Sequence, residues 1–214
     1  MAEVFDFKKE YKELYFPKAT PCVIEVPEMV FIMVDGKGNP NTCDAYRNAL
    51  EILYGLSYTI KMSKKSGAQP QGYFEYVVPP LEGLWWGAEG CFDGTNVLDK
   101  DMLFWTAMIR QPDFVTPDTF ELAKQSLIEK KPDLELSLSR LVSIAEGLCA
   151  QIMHTGSYDD EPATIRILDK FIMESGYKTD MNESRKHHEI YLNDPRKTNP
   201  EKLKTVIRHP IAER

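Results

Sequence analysis

Two distant segments of the chain read nearly alike: Thr106–Pro112 is TAMIRQP and Thr205–Pro210 is TVIRHP. An internal repeat of this kind is weighed before local propensity, because missing it misassigns the whole architecture. The surroundings repeat too. In the first half, Cys22–Gly38 is rich in β-branched and apolar residues, carries Pro27 and ends in Asp-Gly. It predicts a long strand, bent or interrupted at Pro27. Asp44–Lys64 has apolar residues at 46, 49, 50, 53, 54, 56 and 60, the spacing of an amphipathic helix. Leu81–Gly87 and Met102–Gln111 predict strands on either side of the loop FDGTNVLDKD. In the second half, Arg140–His154 predicts a strand with Gly147 as an irregularity. Glu161–Ser175 predicts a helix with Pro162 in its first turn, and His187–Asn193 and Lys204–Ile211 predict two strands. Each half is strand, helix, strand, strand. Between them, Val115–Lys131 predicts a helix capped by Thr116, and Asp6–Phe16 predicts a short one before Pro17.

Two copies are too few for a solenoid. They fit an α+β fold: a tandem βαββ repeat with pseudo-two-fold symmetry and a ligand groove between the repeats. The expected boundaries are about 18–112 and 138–212 for the repeats and 113–135 for the connection, within one domain over 1–214. At 43% hydrophobic and 28% charged, the composition is that of an ordinary globular chain. A net charge of −7 with scattered basic residues argues against direct nucleic acid binding. No apolar run approaches the roughly 20 residues that cross a bilayer, so no membrane is expected. The charged N-terminus carries no signal-peptide core, and Cys22, Cys43, Cys91 and Cys149 form no CxxC pair. Together these predict reduced thiols in a cytoplasmic protein.

Aligning the strands that follow the two main helices sets LEGLWW on HEIYLN. Glu82 then meets Glu189, Leu84 meets Tyr191 and Trp86 meets Asn193. Alternate strand residues share a face, so both glutamates are expected to point toward the two-fold axis. A single strand glutamate is ordinarily a solvated one. A matched pair followed by aromatics predicts a polar centre in an aromatic cavity. A one-residue slip in register would send the glutamates to the opposite face.

These segments resemble the GyrI-like (gyrase-inhibitor-like) small-molecule-binding domain family in its stand-alone form. The resemblance covers nearly the whole chain. It rests on VPEMVFIMVDGKGNP, PLEGLWW, WTAMIRQPDFV, EGLCAQIMHTGSYDDEPATI and HHEIYLNDPRKTNPEKLKTVIRHP. It implies a tandem βαββ repeat with a groove and a central acidic residue, Glu189, with Glu82 as its counterpart. Trp86, Trp105 and Tyr191 are the implied walls. In transcription factors the domain senses aromatic, cationic drugs beside a DNA-binding domain, and here the strand at Cys22 begins too soon to leave room for a helix-turn-helix. Some stand-alone members are hydrolases of cyclopropane-bearing, DNA-alkylating antibiotics.

Other patterns add less. His187 and His188 are adjacent in a strand, so they face opposite ways and do not share a metal; no metal or cofactor is expected. His187 falls on the Glu189 side. Tyr158 precedes a helix and is placed at the groove's rim. Asp159-Asp160-Glu161 opens that helix, where acidic residues favour the helix dipole. No GxSxG elbow or phosphate-binding glycine loop is present. Two functions remain in play, with a small planar aromatic or cationic molecule as the partner of either. One is a hydrolase using a glutamate as general base on water. The other is a non-catalytic module that sequesters or senses aromatic cationic drugs. A protein-inhibitor role like that of the family's namesake is a third.

Overall fold

The computed structural model describes residues 4–92 and 96–214. From the N-terminus, β1 (Phe5–Asp6) leads into two single-turn helices, α1 (Phe7–Glu10) and α2 (Lys12–Tyr15). Next come β2 (Cys22–Lys37), α3 (Asp44–Met62), β3 (Tyr76–Val77), β4 (Leu81–Gly87) and β5 (Leu103–Gln111). After α4 (Pro117–Ile128) come β6 (Ser139–Thr155), α5 (Glu161–Glu174), β7 (Tyr177–Thr179), β8 (His187–Tyr191) and β9 (Lys204–Glu213). The class is mixed α+β, and the order strand, helix, short strand, strand, strand occurs twice.

The long strands β2 and β6 pair antiparallel and hold the sheet together. Each is long enough to serve a second neighbour as well: β2 pairs β5, and β6 pairs β9. The hairpin partners β4 and β8 then pair with each other. The pairings therefore close on themselves in the sequence β6-β2-β5-β4-β8-β9-β6, with β7 added along β9. Pro27, which has no N–H to give a ladder, does not break β2. The β2–β6 register runs Val26↔Gly147, Glu28↔Ala145 and skips Pro27. Gly147 takes φ +66 at that point, a left-handed conformation that glycine adopts without penalty.

Both faces of the sheet are covered. On one, α3 and α4 bury Ala49, Leu53, Leu56, Phe120 and Leu127 against Ile32, Val34, Trp105, Ala107 and Ile109. On the same face, α5 sets Leu168 and Ile172 against Ala150, Ile152 and Ile207. The opposite face, with Phe31, Met33, Met108 and Val206, is closed by Phe7, Leu14 and Tyr15 of the N-terminal segment. Each such buried side chain contributes roughly 1.5–3 kcal/mol relative to exposure.

Two expectations change. The helix expected over Asp6–Phe16 is two single turns, because Tyr11 leaves helical geometry at φ −111, ψ 57. The strands β3 and β7 were not expected; they are two and three residues long, too short to show a period. In the loop expected over 92–101, residues 93–95 lie outside the described residues. No helix among the described residues is long and apolar enough to cross a membrane.

Candidate functional site

The β4–β8 register places Glu82 opposite Ile190 and Gly83 opposite Glu189. Residues directly opposite in an antiparallel pair share a face, and successive residues alternate. Glu82 and Glu189 therefore point to opposite faces, which corrects the expectation that both face one cavity. The cause is a slip of one residue in aligning LEGLWW on HEIYLN. Leu81 pairs with Ile109, and Glu189 pairs with Ile207. With Ile109-Arg110 set on Ile207-Arg208, Glu189 corresponds to Leu81, and Glu82 to Ile190. The two glutamates are not equivalent and do not support the repeat; the element order does so without them.

Glu82 is buried on the N-terminal face. Its carboxylate accepts from Tyr15 Oη at 3.4 Å and meets His188 Nε2 at 3.0 Å. His188 Nδ1 lies 3.0 Å from Glu146, which also accepts from Arg208 at 2.9 Å. Arg208 donates in turn to Gln151 Oε1 and to the carbonyl of Leu14, and Gln151 donates to the carbonyl of Glu13. The network ties the N-terminal segment to the sheet. Burial alone would lower the His188 pKa, but Glu146 and Glu82 outweigh it and raise it to about 9. Burial would likewise raise Glu146, and His188 and Arg208 instead bring it down to about 2.

Glu189 faces a groove of about 1950 Å³ between α3, α5 and the strand β8. His187 Nε2 lies 2.8 Å from its Oε1, and the Tyr191 hydroxyl donates to its Oε2 at 2.6 Å. Trp85 Nε1 donates to the Tyr191 hydroxyl at 2.9 Å. Gly83, opposite Glu189, is needed here: a Cβ would fall 2.7 Å from Trp85 Nε1 and 3.2 Å from the Tyr191 hydroxyl. Burial pushes Glu189 upward, but the hydrogen bonds from His187 and Tyr191 outweigh it and lower its pKa. Burial, then the Glu189 charge, pushes Tyr191 well above the usual phenol range.

The second carboxyl of the groove is Glu161, at the start of α5. It is buried, and burial first and the facing Glu189 second raise its pKa well above the carboxylate range. The Thr205 hydroxyl beside Glu161 pulls the other way and only partly offsets this rise. Of the two carboxyls, Glu161 thus holds a proton the more tightly and Glu189 ionises the more readily.

The other expected site residues divide. Tyr191 and His187 stand beside Glu189, and Tyr158 packs edge-on against Tyr191 with centroids 5.7 Å apart. Burial, then Glu161 and Glu189, pushes Tyr158 up to about 12. Trp105 is 1% exposed and lies beneath Tyr46, edge to face at 4.9 Å, so it is core and not a wall. Trp86 shares the Glu82 face, stacks on Phe104 at 6.0 Å, lies under Lys186 and is also among the residues that line the groove. Trp85 joins it there, and Tyr46 takes the place expected of Trp105. His188 and His187 do face opposite ways. Among the described residues, no group of three or more His, Cys, Asp or Glu is arranged to hold a metal ion.

Sequence reasoning missed Glu161, Trp85 and Tyr46. Glu161 is in helical phase with Ile165, Leu168 and Ile172, the buried stripe of α5, and that phase was the available signal. For Trp85 the signal was the alternation from Gly83.

The comparisons with known proteins agree with this fold. A hydrolase from Listeria innocua is 46% identical over 97% of this chain and 100% of its own length, with a TM-score of 0.88. An uncharacterized conserved protein from Listeria innocua is 48% identical over 97% of this chain and 100% of its own, with a TM-score of 0.91. The EcmrR C-terminal domain, 11% identical with a TM-score of 0.51, shares the fold. No curated protein matches the chain. The model of the GyrI-like small molecule binding domain matches residues 20–212, and the chain belongs to that family.

Proposed function

We propose that this chain is a hydrolase that opens small, flat, strained electrophiles by adding water, with cyclopropane-bearing DNA-alkylating antibiotics as the substrate class. The observation that carries the reading is the Glu189–Glu161 pair: two facing carboxyls on the wall of an aromatic groove, one pushed toward the ionised form and the other toward the acid. Glu189 takes a proton from water as the water oxygen bonds to a cyclopropane carbon. The ring C–C bond breaks, and its electron pair moves into the conjugated carbonyl of the substrate. Glu161 gives that oxygen its proton. Water's proton, now on Glu189, resets Glu161. General acid–base assistance of this kind is worth about 10²–10⁴-fold in rate. Tyr191 and His187 orient Glu189, and Trp85, Tyr46 and Tyr158 supply ring faces for a flat molecule. A relative described as a hydrolase at 46% identity supports the reading, and four free thiols fit a cytoplasmic setting. Such an activity would confer antibiotic resistance.

A second reading is non-catalytic multidrug binding of aromatic cations. It draws on the Glu189 carboxylate among Trp85, Tyr46 and Tyr158, since ring faces and an anion both favour a cation. One experiment separates the two. Planar, cationic and cyclopropane-bearing compounds are screened by thermal shift, and each hit is incubated in ¹⁸O-labelled water and weighed by mass spectrometry. Catalytic gain of one labelled water by a cyclopropane-bearing compound is expected. Binding of aromatic cations with no compound gaining water would leave the second reading and end the first.

A further inference from the structure

Glu189 heads a chain of side chains that runs along the groove wall: from its Oε1 to His187 Nε2 at 2.8 Å, His187 Nδ1 to His209 Nε2 at 2.8 Å, and His209 Nδ1 to Asp169 Oδ1 at 3.1 Å. His209 is 2% exposed, while the Asp169 side chain, on α5, is 34% exposed. The chain therefore starts at a carboxylate that is 14% exposed and ends at one that is 34% exposed, farther along the same groove.

The proton count is fixed by the geometry. Three hydrogen bonds need three protons, and two neutral imidazoles bring two. A third proton must reside on an imidazole or on one of the terminal carboxyls. With that proton at the Glu189 end, both rings carry hydrogen on Nδ1. With it at the Asp169 end, both carry hydrogen on Nε2. Passing the proton from end to end moves no heavy atom; it only exchanges the two tautomers together.

We propose that Asp169, His209 and His187 form a proton wire through which the Glu189–Glu161 pair exchanges its proton with solvent. Its catalytic use rests on the hydrolase reading: the wire keeps the pair at one proton between turnovers. The wire itself does not depend on any substrate. The groups that face it are Glu189, Tyr191 and Glu161 at the inner end and Asp169 at the outer. Burial lowers the His209 pKa, and the neighbouring His187 lowers it further against the pull of Asp169. That disfavours a charge resting on the middle of the chain and favours transit.

The test is ¹⁵N NMR of the imidazole rings, in the protein without ligand, comparing wild type with Asp169→Asn and Asp169→Ala. Asp169 does not touch His187. In the wild type both rings should exchange together between the two tautomers, with Nε2–H the major form because Glu189 is the more readily ionised carboxyl, and Nδ1–H a detectable minor form. In the variants both should collapse to a single tautomer, His187 as well as His209. A through-space charge would move the His187 titration without changing its tautomer. A His187 tautomer identical in all three proteins overturns the wire, whether or not the chain hydrolyses anything. A wire that stands while Glu189→Gln keeps full turnover would instead overturn the hydrolase reading alone.

Discussion

On one face of the β4–β8 pair, Glu82 meets His188, and His188 meets Glu146, which meets Arg208. On the other, Glu189 meets His187 and faces a second carboxyl, Glu161. The first face pairs two acids with two bases and leads its remaining donors to backbone carbonyls. The second sets two acids together on the wall of the groove. Burial and surroundings distinguish the two glutamates: Glu82 is sealed beneath the N-terminal segment, while the Glu189 side chain keeps 14% of its surface open. Interlocked opposite charges stabilise the fold, and two facing acids on a groove wall are poised to act on what the groove holds.

The comparison breaks or holds first on two substitutions. Glu189→Gln should lower turnover about 10²-fold or more while leaving ligand affinity and stability largely intact. Glu82→Gln should do the reverse. Removing one charge from a buried pair costs about 3–5 kcal/mol, read by denaturant unfolding, with turnover per folded molecule retained. A full loss of turnover in folded Glu82→Gln would mean the faces are not separate in function.

The buried network should also give an alkaline limit. The folded His188 pKa, about 9, lies above the ordinary histidine value. Its contribution is therefore fully present below about pH 6.5 and is lost as pH rises through 9, of order 3 kcal/mol in total. Unfolding free energies from pH 6 to 10 should fall in the wild type and stay flatter in His188→Gln.

Smaller effects sharpen the groove side. Gly83→Ala should push Trp85 off the Tyr191 hydroxyl and cost about tenfold or more in turnover, since displacements near 1 Å matter at such sites. Isothermal titration of any ligand found should weaken by about 1–3 kcal/mol in Trp85→Ala and by less in Trp86→Ala, because Trp86 also stacks on Phe104. Equal losses in both would make Trp86 an equal wall.

The fold was legible because its signals are periodic. The α3, α5 and long-strand patterns extend over many residues, and a proline in β2 misled nothing once Pro27 fell where the ladder skips. The site was less legible because a strand's faces depend on a single residue of register. TAMIRQP and TVIRHP carried the right register in Ile109-Arg110 and Ile207-Arg208, but matching the two glutamates overrode it. That slip hid Trp85 and the true partner of Glu189. Glu161 was explained by the helix dipole, a sufficient reason for an acid at a helix start, and its phase with Leu168 was passed over.

The claim at the centre is that Glu189 and Glu161 divide one proton unequally. Selective ¹³C labelling of glutamate carboxyls, titrated by NMR from pH 3 to 9 without ligand, reads this directly. The pair should titrate in two macroscopic steps, one below the ordinary glutamate range and one well above it, leaving Glu161 protonated and Glu189 ionised at neutral pH. Two carboxyls titrating together near the ordinary value of about 4.3 would contradict the account.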